Sequence, residues 1–234
     1  MNWRCRSCGS SADMRLEFCP LCETTGQYQP EVRPVNRAVT SDLLIVSGKT
    51  ILARATGNRG LSGMWDRFMP EGIQTPGFYG ISGGPGVGKT TAALHLCHDW
   101  PGNALFLSIE SGMGASIQGL MAMHEVYDFD MSCPCSWDQV VDASKLNYDL
   151  FCIDSLQRIQ MHPDVLRSQF VDRGRNIIVL SQVNSSGDPR GGIAAMHESD
   201  VWFDLISYGR AVCLKNRWGA LHEFEWASVP EVQL

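Results

Sequence analysis

The chain has 234 residues, of which 44% are hydrophobic and 19% are charged. These values predict a packed core and exclude a disordered chain, and no apolar run reaches the roughly 18 residues that a membrane span requires. The formal net charge of −6 disfavours a protein that coats nucleic acid through its overall charge, so any nucleic-acid site is expected to be a local group of basic residues.

Nine cysteines are unevenly distributed, and four of them lie near the amino terminus as Cys5, Cys8, Cys19 and Cys22. The first residues lack the apolar segment of a secretion signal, so we expect a cytoplasmic location, where disulfides are uncommon. The two C-x2-C pairs can each chelate one ion from a tight turn, and together they complete a tetrahedral zinc site without an open position. Residues 1–26 are therefore predicted to be a structural Zn²⁺ module that the metal folds. Two redox pairs or four free thiols are the alternative.

The rest of the chain is predicted to contain a linker and one α/β domain. Residues 27–40 carry two prolines and few large apolar side chains, which is typical of a linker. In residues 41–234, continuous apolar runs alternate with helical stretches, which predicts strands covered on both faces in a mostly parallel, doubly wound sheet. The predicted strands are 78–82, 104–109, 148–153 and 176–180, and a hairpin is predicted to join 211–214 to 221–226.

A glycine-rich segment lies between the first of these strands and a helix that begins near Thr90. It fits the P-loop pattern G-x4-G-K-[ST] at residues 83–90. The glycines of this pattern let backbone N–H groups turn around a phosphate at a helix amino terminus. Lys89 is expected to bridge the β- and γ-phosphates of ATP, and the Thr90 hydroxyl to ligate Mg²⁺. An ordinary glycine-rich turn is the alternative. The predicted nucleotide-binding residues are Gly83, Gly84, Pro85, Gly86, Val87, Gly88, Lys89, Thr90 and Thr91.

Three polar residues follow predicted strands of the same sheet. Asp154 follows the third strand, where P-loop ATPases place a carboxylate for Mg²⁺. Glu110 follows the second strand and could act as a general base for the attacking water, or it could be a helix-capping or solvated glutamate. Gln182 follows the fourth strand, and its amide could bind a γ-phosphate or lie passively at the surface.

The order of these features resembles the RadA (Sms) family of RecA-like DNA-repair ATPases. The four amino-terminal cysteines look like that family's C4 zinc ribbon. Lys215-Asn216-Arg217-Trp218-Gly219 is similar to its KNRFG signature, with Trp in place of Phe. The resemblance spans nearly the whole chain and implies a RecA-like core. Further matching residues are Ala55-Thr56-Gly57, Gly60-Leu61, the segment 181–187, His197, Asp200 and Glu223.

The resemblance also implies roles for residues outside the P-loop. Lys215 and Arg217 would reach the nucleotide of a neighbouring subunit. By analogy with the arginine fingers of GTPases, a cation placed there can raise the rate of hydrolysis by about 10³–10⁵-fold. Two exposed cations on a hairpin turn are the alternative. The segment 184–192 corresponds to a DNA-binding loop of RecA-like proteins, and its predicted DNA contacts are Arg190, Gly191 and Gly192.

Two departures from the family change the expectations. We expect a short form without the carboxyl-terminal Lon-protease-like domain that helps RadA proteins to build a hexamer, so assembly is expected to depend on the ATPase core. Ser185 stands where the family usually has Lys, which alters the γ-phosphate or DNA contact expected there.

The sequence and the resemblance together predict a DNA-dependent ATPase of recombination or repair. It would act as a branch-migration, helicase or strand-annealing motor on single-stranded or branched DNA. We expect it to use ATP, Mg²⁺ and Zn²⁺, and to form a ring, such as a hexamer, or a short filament with nucleotide at the subunit interfaces. The alternative is a non-motor ATP switch, a recombination mediator or loader that binds a protein partner. A RecA-fold phosphotransferase is a more distant alternative.

Overall fold

The computed structural model describes residues 3–5, 11–12, 28–30, 57–59, 63–134, 136–159, 162–183 and 193–227, the first four ranges as backbone only. Contacts divide the chain into two compact units, Met1–Arg54 and Ala55–Leu234. The predicted zinc module and linker fall within the first unit. The side chains of Cys5, Cys8, Cys19 and Cys22 lie outside the described residues, so the zinc site stays a prediction.

The first unit contains a small antiparallel sheet. Strand β1 (Trp3–Cys5) lies between β2 (Ser11–Ala12) and β3 (Tyr28–Pro30). The register places Trp3 opposite Ala12 in β2, and Cys5 opposite Tyr28 in β3. Residues 28–30 of the predicted linker thus pair with the first strand of the chain.

The helices of the second unit surround a sheet and are short. Local sequence explains where two of them begin: the Ser136 hydroxyl accepts a hydrogen bond from the Gln139 amide at 3.4 Å, and Pro163 opens another helix with a preset φ. No helix among the described residues is long and apolar enough to cross a membrane. The helices described are α1 (Met64–Phe68), α2 (Lys89–His98), α3 (Ala115–His124), α4 (Trp137–Ala143), α5 (Leu156–Ile159), α6 (Pro163–Gln169) and α7 (Ile193–Glu198), with a 3₁₀ turn at Val171–Arg173.

The strands of the second unit are β4 (Gly57–Arg59), β5 (Ile73–Thr75), β6 (Phe78–Gly83), β7 (Ala104–Ser108), β8 (Asp130–Ser132), β9 (Leu150–Asp154), β10 (Asn176–Gln182), β11 (Val201–Ser207), β12 (Arg210–Asn216) and β13 (Glu223–Glu225). Eight of them form the main sheet within the described residues, in the order β13-β12-β11-β6-β10-β9-β7-β8. Neighbours from β11 to β8 are parallel, whereas β12 and β13 are added antiparallel at one edge. The predicted α/β class with a mostly parallel sheet is therefore confirmed.

Side chains alternate between two apolar layers, one on each face of the sheet. In β10, Ile178 and Leu180 join the layer that contains α2, whereas Ile177 and Val179 join the layer that contains α6. Successive strand residues point to opposite faces, so a strand that is covered twice must be apolar throughout. This is why the central strands appear as unbroken apolar runs in the sequence.

The four predicted strands correspond to β6, β7, β9 and β10, and the predicted hairpin corresponds to β12 and β13. The sequence interpretation missed two strands of the main sheet, β8 and β11, and also the separate pair of β4 and β5. Strand β11 is the more important omission, because it lies directly between the P-loop strand β6 and the hairpin. Polar residues such as Asp204 interrupt its apolar run, and the Asp204 carboxylate accepts a hydrogen bond from Ser82 Oγ at 2.6 Å.

A close approach between β6 and β11 makes one glycine indispensable. Gly80 pairs with Trp202, and a Cβ on Gly80 would lie 1.9 Å from Cε3 of that buried indole. Trp202 is held in place, since its indole N–H donates to Ser82 Oγ at 2.9 Å. We expect Gly80→Ala to lower the free energy of unfolding by about 3 kcal/mol, as overpacking of a tight core does, measured by urea denaturation.

The matched control is Gly119→Ala in α3, where an added Cβ meets nothing within 4 Å. Alanine favours a helix interior over glycine by about 1 kcal/mol, so this variant should be slightly more stable than the wild type. Equal urea midpoints for the two variants would contradict the packing of Trp202 on Gly80.

Candidate nucleotide-binding site

The glycine-rich turn leads from the carboxyl end of β6 into the amino terminus of α2. Gly88 is the residue before α2 and has a φ of +92°, a left-handed conformation that favours glycine. Side-chain packing also favours glycine at this position, because a Cβ there would lie 3.0 Å from the rings of Trp226 and Tyr208. The turn therefore presents backbone N–H groups at a helix amino terminus, an arrangement that suits phosphate.

Lys89 is the first residue of α2, and its ammonium points back to the turn. Its Nζ donates to the carbonyl oxygens of Gly83 at 2.8 Å and Gly84 at 2.6 Å. Burial lowers the pKa of Lys89, although the nearby carboxylates of Asp154 and Glu110 oppose that shift. Among the described residues its hydrogen-bond partners are carbonyl oxygens, which this half-buried cation could exchange for the oxygens of an anion.

Thr90 and Asp154 meet across the ends of α2 and β9. The Thr90 hydroxyl donates to Oδ2 of Asp154 at 2.9 Å, and Asp154 is only 3% exposed. Burial raises the pKa of Asp154 from its ordinary 3.8 to about 6, and the charge of Glu110 adds to this effect, whereas the Thr90 hydrogen bond and Lys89 oppose it. The two oxygens are hard ligands at the separation of about 3 Å that neighbouring ligands of an octahedral Mg²⁺ have, so they fit that ion.

Glu110 follows β7, and both of its carboxylate oxygens accept hydrogen bonds. Ser155 Oγ donates to Oε2 at 2.7 Å, and the Gln182 amide donates to Oε1 at 2.9 Å. The backbone amide of Glu110 also donates to the Asp154 carbonyl at 2.9 Å. The carboxylate is thereby held between the ends of β9 and β10.

These residues converge because parallel strands bring their carboxyl ends to one edge of the sheet. The register pairs Gly83 with Gln182 and Ser108 with Asp154. The resulting cavity has a volume of about 370 Å³, in the range of small-molecule sites. Its lining residues are Pro85, Gly86, Gly88, Lys89, Thr90, Thr91, Glu110, Ser111, Leu120, Asp154 and Gln182. Gly84 and Val87 belong to the same turn, and Gly83 is the last residue of β6 before it.

Lys215 and Arg217, the predicted trans-acting cations, lie away from this cavity. Asn216 pairs with Val201, which in turn pairs with Tyr79 at the start of β6. The P-loop begins four residues further along β6, about 13 Å away at the rise of a strand. Lys215 and Arg217 therefore flank the opposite end of the sheet, where they cannot contact a nucleotide bound to their own P-loop.

Both cations have intramolecular partners. Lys215 Nζ donates to three carbonyl oxygens at the carboxyl end of α7, those of Met196, His197 and Ser199, at 2.5 to 2.7 Å. Burial lowers the pKa of Lys215, and Arg217 adds to this effect. Arg217 is half exposed and pairs with Asp200 at 3.3 Å. A cation at the carboxyl end of a helix is stabilising, so Lys215 acts as a cap for α7.

Sequence reasoning missed five residues of the site, and one of them, Ser111, lines the cavity directly after Glu110. Ser155 is the simplest to find in retrospect, because it directly follows Asp154. Leu120 lines the cavity from α3, whereas Tyr208 and Trp226 reach Gly88 from the far edge of the sheet. Nothing local in the sequence marks these three as neighbours of the P-loop.

The other predicted ligands and contacts stay predictions. Arg190, Gly191 and Gly192 lie outside the described residues, as do the side chains of Cys5, Cys8, Cys19 and Cys22. Within the part of the chain whose side chains are described, no group of three or more His, Cys, Asp or Glu residues is arranged to hold a metal ion.

No protein-family model matches the chain, and no curated protein is significantly similar to it.

Proposed function

We propose that the protein is a RecA-like ATPase whose hydrolysis of ATP is coupled to DNA in recombination or repair, as in the RadA family that it resembles. The observation that carries this proposal is the convergence of Lys89, Thr90, Asp154 and Glu110 on one cavity at the amino terminus of α2. A P-loop motif alone is short, but here two carboxylates from other parts of the chain, those of Asp154 and Glu110, line the same cavity as its Lys89 and Thr90.

Each side chain has a role in phosphoryl transfer. Lys89 would exchange its carbonyl partners for β- and γ-phosphate oxygens and neutralise their charge. Thr90 and Asp154 would hold Mg²⁺, which when bound offsets phosphate charge. Glu110 would accept a proton from the water whose oxygen attacks the γ-phosphorus, while the bond to ADP breaks and ADP leaves with the electron pair.

Coupling to DNA would pass through β10. Gln182 ends that strand, contacts Glu110 and lies two residues before the segment 184–192 that is predicted to bind DNA. The candidate general base is thus one hydrogen bond away from Gln182, which precedes the candidate DNA contacts Arg190, Gly191 and Gly192 by 8 to 10 residues in the chain. Movement of that segment on DNA would alter the restraint on Glu110.

Lys215 and Arg217 could act on a nucleotide only if it belonged to a neighbouring copy, because they flank the end of the sheet opposite the P-loop. Such a head-to-tail contact is heterologous and gives either a ring or a filament. One observation favours the alternative of a non-motor ATP switch: Lys215 already has three carbonyl partners within α7 and its flank, and it would have to leave them to serve a neighbour.

The test is steady-state ATP hydrolysis by zinc-loaded protein, with and without single-stranded DNA, over a range of protein concentrations. We expect DNA to raise the rate at least about 10-fold, and the rate to rise more than linearly with protein concentration because sites are shared between copies. Hydrolysis that is slow, proportional to protein and indifferent to DNA would contradict the motor and favour the switch.

A further inference from the structure

Ser155 is a buried serine whose hydroxyl, in the described structure, donates its hydrogen bond to the carboxylate of Glu110. It is 2% exposed, directly follows Asp154, and its Oγ donates to Oε2 of Glu110 at 2.7 Å. Asp154 and Ser155 are neighbours in the chain, but their side chains make hydrogen bonds to different partners, since the Asp154 carboxylate accepts from the Thr90 hydroxyl. The last residue of β9 therefore supplies the candidate metal ligand, and the next residue holds the candidate general base.

Glu110 needs such an anchor. Its side chain is exposed and has three rotatable bonds, so by itself it would sample many orientations. Backbone hydrogen bonds fix its main chain, because the amides of Ile109 and Glu110 both donate to the Asp154 carbonyl at 2.7 and 2.9 Å. Two side-chain hydrogen bonds then fix the carboxylate, one from Ser155 and one from Gln182.

The two anchors differ in what they are attached to. Gln182 is partly exposed and leads into the segment 184–192, so its bond to Glu110 is the one that a change in that segment would alter. Ser155 is buried between β9 and α5, and its carbonyl accepts from the Arg158 amide at 3.2 Å. Ser155 is accordingly the fixed anchor.

We propose that Ser155 is a positioning residue for hydrolysis, whose hydroxyl holds the Glu110 carboxylate where it receives the proton of the attacking water. The inference rests on the proposed function, and it assigns Ser155 no contact with the nucleotide. Ser155 acts on the rate of the chemical step through Glu110 and leaves the affinity for ATP unchanged.

The test is a double-mutant cycle of Ser155→Ala and Glu110→Gln, with kcat and the Kd for ATP measured on each protein. We expect Ser155→Ala to lower kcat by about 10- to 100-fold, the effect of misplacing a catalytic group by about 1 Å, with Kd unchanged within about twofold. In the Glu110→Gln background the same substitution should cause no further loss, because a residue that acts through Glu110 has nothing left to position.

The matched control is Ser144→Ala, which also removes a buried serine hydroxyl, one that donates to the Val141 carbonyl at 2.7 Å and does not line the cavity. It should leave kcat unchanged. If Ser155→Ala does not fold by circular dichroism, Ser155→Cys decides: its thiol is a weaker donor of similar shape, so kcat should fall below that of the wild type.

Two results would overturn the inference alone while leaving the proposed function in place. One is an active wild type in which the Ser155 variants keep kcat within about twofold. The other is an equal fold loss of kcat when the Ser155→Ala substitution is made in the wild type and in Glu110→Gln, which would show that Ser155 acts independently of Glu110. A wild type that does not hydrolyse ATP would overturn the proposed function and this inference together.

Discussion

Replacing Lys89 with Met is expected to lower kcat/KM for ATP hydrolysis by about 1,000-fold, which corresponds to about 4 kcal/mol of transition-state stabilisation. Lys89 is the cation that the P-loop turn holds beside the cavity, through its bonds to Gly83 and Gly84. Without it, the carboxylates of Asp154 and Glu110 would face the phosphates with no basic side chain from the turn between them. The measurement is a coupled assay of ADP release over a range of ATP concentrations.

Folding should not confound this result. Burial lowers the pKa of Lys89, which means that folding disfavours its charged form, so the variant should melt at or above the wild-type Tm. Lys145→Met is the matched control, because Lys145 is exposed and pairs only with Asp142 on the surface among the described residues. It should keep activity within about twofold. A Lys89→Met protein with more than about a tenth of wild-type activity would place hydrolysis elsewhere.

The same variant addresses the sharing of sites. Lys89→Met leaves Arg217 intact, and Arg217→Ala leaves the P-loop intact. If Arg217 serves the neighbour's nucleotide, a mixture of the two inactive proteins should regain activity, because some interfaces combine an intact P-loop with an intact Arg217. A mixture no more active than its components would favour the ATP switch over the motor.

Local sequence was sufficient to predict the strand, the glycine-rich turn and the helix that form one side of the cavity. A strand, a glycine-rich turn and a helix are consecutive in the chain, so spacing identifies Lys89 and Thr90 directly. Asp154, Glu110 and Gln182 could be predicted because each follows a continuous apolar run, and parallel strands bring their carboxyl ends to one edge. These five residues line the cavity.

Contacts between distant parts of the chain could not be predicted. Tyr208 and Trp226 pack on Gly88, although they come from beyond β11, a strand that the sequence interpretation missed. The partners of Lys215 are carbonyl oxygens at the end of α7, and a helix end is a partner that no side-chain motif encodes. Spacing gives the order of elements, but the side on which a late strand joins the sheet depends on the packing of the whole domain.

Asp154→Asn is expected to abolish hydrolysis while making the Mg²⁺-free protein more stable. The loss of activity should be at least about 100-fold, because a neutral amide is a poor ligand for Mg²⁺. The gain in stability follows from the pKa of Asp154, which burial raises from 3.8 to about 6. That difference corresponds to an upper limit of about 3 kcal/mol by which folding disfavours the ionised carboxylate.

The dependence on pH has a definite sign. Because the pKa of Asp154 is raised in the folded state, the folded protein binds this proton more tightly than the unfolded chain does. Ionisation of Asp154 therefore lowers the free energy of unfolding, and this effect is complete above about pH 6. It disappears as the pH falls through 6 towards 3.8. Urea denaturation in EDTA should show Asp154→Asn above the wild type at pH 8 and equal to it near pH 4.

Asp142→Asn is the control, since Asp142 is exposed on α4 and its loss should change stability little at either pH. Adding Mg²⁺ and ATP at pH 8 should then reverse the order, because binding to the folded state stabilises the wild type by mass action and Asn cannot hold the ion. A buried carboxylate that weakens the fold until a cation binds is difficult to explain by structure alone. If Asp154→Asn were instead less stable than the wild type at pH 8 without metal, Asp154 would be a structural residue, and the assignment of Mg²⁺ to Thr90 and Asp154 would fail.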